Sequence, residues 1–259
     1  MGIIQLAFGG KLTPVMEGGT ITETGGYRIH KFTSSGTLVA QAGFNKQVEY
    51  LIVAGGGSLG VLAQGFENMG YCNYFGGGGA GGMREGTTTI NVSTQTNYTI
   101  IVGGGGAAAT AADSMGKDGS NTSWGGVTSA TGGGGGGGFT NQGRTGGSGG
   151  GAGGQFVGAS GLSGQGNNGG EGAYFSQGLP HYHGGGGGGK GSVGADAGYT
   201  NNNCHQANGG TGKANNITGS NVVYASGGPG GTTSNAPANT GNGGTSGGSG
   251  IFVVRYLLS

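Results

Sequence analysis

The chain has 259 residues, 76 of them glycine, with 7% charged residues and a formal net charge of +1. That balance excludes a nucleic-acid footprint, an acidic solvating tail and disorder driven by charge repulsion, and no Arg-Gly-Gly repeat is present. Collagen is excluded too, because glycine does not recur at every third position and there are only 4 prolines.

Residues 1–26 open with an apolar cluster, Ile3, Ile4, Leu6 and Phe8, closed by Gly9-Gly10. It reads as an edge strand or as an attachment peptide for a partner. Neither a signal peptide nor an apolar segment of membrane-spanning length is visible, and Cys72 and Cys204 make no disulfide framework. The expectation is a protein made and left in a cytosol, or released by lysis rather than by secretion.

Tyr27–Phe32 alternates in polarity, Ser34-Ser35-Gly36 is a turn signal, and Thr37–Ala40 is expected to return as the second arm of a hairpin. Val48–Ala54 is an apolar run through Val48, Tyr50, Leu51, Ile52 and Val53, consistent with a central strand buried on both faces, and it runs into Gly55–Gly57. Thr87–Ser93 and Tyr98–Val102 are expected to pair across Thr94–Asn97, the second of them ending in Gly103–Gly106. Ile251–Leu258 leaves a glycine stretch as the last strand. No helical period occurs, so no α-helix is expected. The domain reading is an all-β base, a small antiparallel sandwich-like module over residues 1–54 joined by strands 87–102 and 251–258, followed by a glycine-rich region over 55–250.

The glycine runs Gly76–Gly79, Gly103–Gly106, Gly132–Gly138 and Gly184–Gly189 bury no side chains, and ordering their backbone costs roughly 1–2 kcal/mol per residue. Either they are loose linkers, or they stack so closely that backbone bonds backbone. Polyproline-II geometry permits the second outcome, because it leaves N–H and C=O groups pointing outward; a seven-glycine run would then span about 22 Å. Similar run lengths between strands favour stacking, with about ten such rods.

Between the runs lie loops in which the scarce aromatics concentrate. Tyr71, Tyr74, Phe75, Phe156, Tyr174, Phe175, Tyr182 and Tyr199 are the best binding candidates, with His181 and His183 beside Tyr182. The bland alternative is that several of them cap the glycine lattice. His181 and His183 lack a nearby carboxylate, so no metal is expected, and free thiols are expected over a bridge between Cys72 and Cys204. Ala107–Thr131 reads as a polar loop around Trp124. The acids are scattered singly, and Gly-x-Gly-x-x-Gly recurs by chance at this composition, so neither an enzyme nor a cofactor is expected.

Phe32-Thr-Ser-Ser-Gly-Thr-Leu38, Glu49-Tyr-Leu-Ile-Val-Ala-Gly-Gly-Gly57, Gly76–Gly82, Tyr98-Thr-Ile-Ile-Val-Gly-Gly-Gly-Gly106 and the closing Gly247-Gly-Ser-Gly-Ile-Phe-Val-Val-Arg-Tyr256 together resemble the glycine-rich phage tail proteins. These are related in style to the distal adhesins of T-even-like long tail fibres. The resemblance implies a stacked polyglycine-II bundle on the β base, at the tail-fibre tip of a virion. Its loops would recognise a host cell-surface receptor, an outer-membrane protein or a glycan. It also implies a tail-fibre shaft or tail protein as partner. The first 26 residues are too short for the separate docking domain of those adhesins, so docking through the β base, through residues 1–26, or as a homo-trimer stays open. The rival readings are a structural tail protein without a receptor and an ice-binding polyglycine-II protein. The aromatic and Asn-rich loops argue against the latter.

Overall fold

A computed structural model describes residues 13–61, 75–110, 114–139, 141–175, 181–200, 203–205, 207–231 and 234–258. Among them the secondary structure is all-β, without a helix. In chain order the base strands are β1 (Met16–Glu17), β2 (Thr20–Thr24), β3 (Tyr27–Phe32), β4 (Gly36–Ala40), β5 (Asn45–Val53), β6 (Met83–Asn91), β7 (Thr96–Ile101), β8 (Thr122–Trp124) and β9 (Thr128–Ala130). Short strands follow: β10 (Ala173–Phe175), β11 (His181–His183), β12 (Gly198–Thr200), β13 (Asn203–His205), β14 (Lys213–Asn215) and β15 (Val222–Tyr224). β16 (Ile251–Leu257) ends the series. The edge strand or attachment peptide expected at Ile3, Ile4, Leu6 and Phe8 lies outside the described residues.

Two five-stranded antiparallel sheets form the base, in the orders β2-β3-β16-β5-β6 and β1-β4-β7-β8-β9. β16 lies between β3 and β5, with Val254 opposite both His30 and Tyr50. Its alternate residues serve two cores. Phe252, Val254 and Tyr256 join Val48 and Ile52 against Leu38, Ile100 and Trp124 of the other sheet. Ile251 and Val253 join Ile29, Leu51 and Val53 on the opposite face, where Ile217 and Tyr224 cover them. A stretch of sheet buried on both sides has no polar face, which is why Leu51–Ala54 and Ile251–Val254 read as unbroken apolar runs. Each such side chain contributes about 1.5–3 kcal/mol on burial.

Two expected hairpins are corrected. β3 and β4 do not pair: β3 is taken on one side by β2 and on the other by β16, and the backbone arches over to put β4 beside β1 and β7. β6 likewise pairs β5 while β7 pairs β4 and β8, so the segment between them crosses from one sheet to the other. The Ala107–Thr131 stretch is not simply a loop. Its second half supplies β8 and β9, a hairpin turned at Gly125-Gly126 that extends the second sheet. Trp124 becomes the centre of the core, with ring centroids 5.8 Å from Tyr50, 6.0 Å from Tyr98 and 5.3 Å from Phe252.

His30 is fully buried and anchors the N-terminal strands. Its Nδ1 lies 2.9 Å from the Gly18 carbonyl, which only accepts, so the proton sits on Nδ1. The imidazole stacks on Tyr256, whose hydroxyl accepts from Met16 N at 2.9 Å. Burial holds the His30 pKa below its ordinary value of 6.5; the Gly18 bond opposes that shift and the Arg28 charge reinforces it. An unfolded chain therefore takes up a proton that the fold refuses. Stability is full above pH 6.5 and falls as pH drops below it, levelling off once the lowered folded value is passed. In urea titrations across this range, His30→Gln should flatten the slope; an unchanged slope would exclude His30 as its source.

The glycine runs are bonded to one another along their length, with a period of three. In 132–138, Gly133 and Gly136 donate to Gly55 and Ser58, both at 2.8 Å, while Gly134 and Gly137 donate to Ser148 and Gly151. Gly132 and Gly135 donate to the side chains of Asn121 and Asp118, both at 2.9 Å. The same stepping recurs in the next run: Gly76, Gly79 and Gly82 donate to Gly137, Gly134 and Thr131, but Gly77 and Ala80 donate to Gly185 and Gly188. Every third residue thus faces the same neighbour. A methyl on Gly135 would overlap the Gly116 backbone, so side-chain-free residues are required for this spacing.

Candidate functional site

The glycine segments run between two ends. At one end Ala54 N donates to Gly82 O at 2.9 Å and Gly250 N to Gly103 O at 2.8 Å, where β5, β6, β7 and β16 begin or end. At the other, Gly172 N donates to Phe156 O, Ala197 N to Glu171 O (both 2.9 Å), and Gly230 N to Ala207 O (2.8 Å). These bonds gather the root of the β10–β11 hairpin, the turn at 154–157 and the root of the β12–β13 hairpin at the end away from the base. The turn is entered at Gly154, whose φ of +51° suits a residue without a Cβ.

The candidate residues meet different fates. Phe156 and Tyr174 are each 36% exposed at this end, and Val157 beside them is 54% exposed. Phe75 is half-buried where its run meets Gly184. His183 is buried, so its ring is turned inward from the surface. In the β10–β11 register Tyr174 stands opposite Tyr182 and Phe175 opposite His181; in β12–β13 Tyr199 stands opposite Cys204. Tyr71, Tyr74 and Cys72 lie outside the described residues, as do the side chains of Phe175, His181, Tyr182, Tyr199 and Cys204.

Described charged residues of both signs concentrate toward the base and are few at the loop-bearing end. Near the gathered loops the described charged residues are Glu171 and Asp196, and Asp196 Oδ1 accepts from Glu171 N at 2.8 Å, tying the two hairpin roots together. Arg28, Lys31, Lys46, Arg84, Lys213 and Arg255, together with the acids Glu17, Glu23, Glu49 and Glu85, sit on base strands or on the hairpin packed against them. Exposed aromatic surface with few charges suits contact with a partner, since such rings bring large area at low rotamer cost. Sequence reasoning missed the tie between Glu171 and Asp196, because 25 residues separate them.

A recess of about 220 Å³ lies on the base over β5, β6 and β16, beside the β14–β15 turn. Its polar groups serve each other. Arg255 bonds Glu49 at 2.7 Å, lies over the Tyr27 ring and donates to Asn216 O; Glu85 pairs with Lys213 and accepts from Asn215 at 2.8 Å. Burial pushes the Glu85 carboxyl up, but the Lys213 and Asn215 hydrogen bonds and nearby cations outweigh it and leave the pKa lowered. This recess reads as a clamp holding the β14–β15 hairpin to the sheet. No cluster of three or more His, Cys, Asp or Glu side chains placed to hold a metal occurs among the described residues.

No curated protein matches the sequence. A glycine-rich domain family matches residues 33–257, spanning the base from β4 to β16 and all the glycine runs between them. On that match the chain belongs to the glycine-rich domain family.

Proposed function

We propose that this protein is a phage tail-fibre tip adhesin, in which a polyglycine-II bundle on a β base displays loops to a receptor on the host cell surface. The single observation that carries the reading is the period-three bonding of the glycine runs, with aromatic segments gathered at the end away from the base. Three residues per turn and no hydrogen bonds within the rod are what a polyglycine-II helix requires. Cross-bonding makes the rods stiff, so the loops start from fixed roots and lose less entropy on binding. Substitutions in the loops leave the backbone bonds of the rods untouched, which lets specificity vary on a constant frame. In this reading the base, or residues 1–26, docks on the fibre shaft or another tail protein, as one copy or as a homo-trimer.

Exchanging residues 174–182 for an unrelated loop of equal length, with the buried His183 retained, should abolish or redirect binding of the purified protein to host cells without changing its melting temperature. Unaltered cell binding after the exchange would remove this loop from the receptor surface. No binding of the parent protein to any host cell, despite correct folding, would favour a structural tail protein.

A further inference from the structure

Three Asn-Gly steps occur in the sequence, Asn168-Gly169, Asn208-Gly209 and Asn242-Gly243. Such steps are prone to cyclise, because no Cβ on the second residue hinders attack by its amide nitrogen on the asparagine carboxamide. Attack requires that nitrogen and the asparagine Cγ to meet. A glycine N–H held in a hydrogen bond and an asparagine side group pinned elsewhere both oppose it.

At two of the steps the lattice holds both groups. Gly169 N donates to Ala159 O at 2.9 Å, and Asn168 Oδ1 accepts from Gly161 N at 3.0 Å. Gly243 N donates to Ser226 O at 2.9 Å, and Asn242 Oδ1 accepts from Ser226 N at 2.9 Å. The third step differs. Asn208 is exposed, and among the described residues neither its carboxamide nor Gly209 N has a hydrogen-bond partner. Only its backbone carbonyl is engaged, accepting from Ala195 N at 2.9 Å.

We propose that Asn208 is a spontaneous deamidation site in the folded protein, while the glycine lattice protects Asn168 and Asn242. The Gly209 amide nitrogen gives up its proton and attacks Asn208 Cγ. A bond forms between that nitrogen and Cγ, the bond from Cγ to Nδ2 breaks, and ammonia leaves carrying the proton. One water then opens the succinimide at either carbonyl, giving aspartate or isoaspartate, with no oxidant or reductant involved. Both products alter the loop-bearing end. Aspartate adds a negative charge next to the Ala195-Asp196 segment. Isoaspartate also lengthens the backbone by a methylene, where Ala207 O receives Gly230 N and Asn208 O receives Ala195 N.

The test is peptide mapping by mass spectrometry after incubating the intact protein in mildly alkaline buffer, alongside the same protein in guanidinium chloride. The expected result is aspartate and isoaspartate at 208 in the folded sample, with 168 and 242 intact, and conversion at all three positions once unfolded. Asn208→Gln, at an exposed position, should abolish the folded-state product. Equal conversion at the three positions in the folded sample would overturn the proposal. So would an intact Asn208 in the folded sample when the unfolded sample shows conversion there.

Discussion

Gly105→Ala is expected to destabilise the protein by about 2–3 kcal/mol, whereas Gly104→Ala, one residue away, should be neutral or stabilise it by up to about 1 kcal/mol. A methyl at 105 would overlap the Gly247 carbonyl, with the Gly248 carbonyl carbon only 3.0 Å away. Backbone has no rotamer with which to yield, so the two rods must separate. The bonds beside the contact then lengthen: Gly106 N to Gly56 O at 2.8 Å and Gly247 N to Gly106 O at 2.9 Å. At 104 a methyl would meet nothing within 4 Å, and neither position has a positive φ. The substitution there only restricts the unfolded state. Urea unfolding of both variants decides the matter, and equal effects would mean that the rods do not touch at 105.

Trp124→Ala is expected to cost about 3–5 kcal/mol, a large share of the roughly 5–15 kcal/mol typical of a folded domain. The indole is 1% exposed and packs edge-on against Tyr50 and Tyr98 and tilted against Phe252, so it bridges the two sheets. Removing it leaves a void that the flanking strands cannot close without breaking their ladders. Because it is the only tryptophan, its fluorescence in the parent protein reports the base alone. A midpoint shift in circular-dichroism unfolding measures the variant. A loss below about 1 kcal/mol would mean that Trp124 does not hold the two sheets together.

The strands were legible where side chains carried a pattern, and their partners were not. Tyr27–Phe32 shows as a strand by alternation, Val48–Ala54 by its apolar run, and Ile251–Leu258 as a last strand leaving a glycine stretch, and these became β3, β5 and β16. A Ser-Ser-Gly turn, however, fits a hairpin and an arch between sheets equally well. What forbids the β3–β4 hairpin is β16, which claims the edge of β3 from more than two hundred residues away. Strands of three residues such as β8 are too short to show a period. The signal that was present there was Thr-Ser-Trp, then Gly125-Gly126, then Val-Thr-Ser-Ala.

In the glycine layer the runs themselves marked the rods. Their order in space depends on which carbonyl each N–H meets, and a run of identical residues holds no register information. The threading is set from outside the runs, by side chains such as Asn121, Asp118 and Asn242 that seize particular N–H groups and by strands that fix the rod ends. The candidate loops were legible as aromatic clusters between runs. The inward turn of His183 was not, since it depends on how its hairpin meets the rods.

Amide hydrogen exchange at Gly132–Gly138 and Gly184–Gly189 in the intact protein tests the central claim, that these backbones are bonded to one another in a solid layer. Protection approaching that of the β16 amides is the predicted result. Exchange at the rate of an unstructured peptide would contradict it, leaving a folded β base with unordered glycine segments.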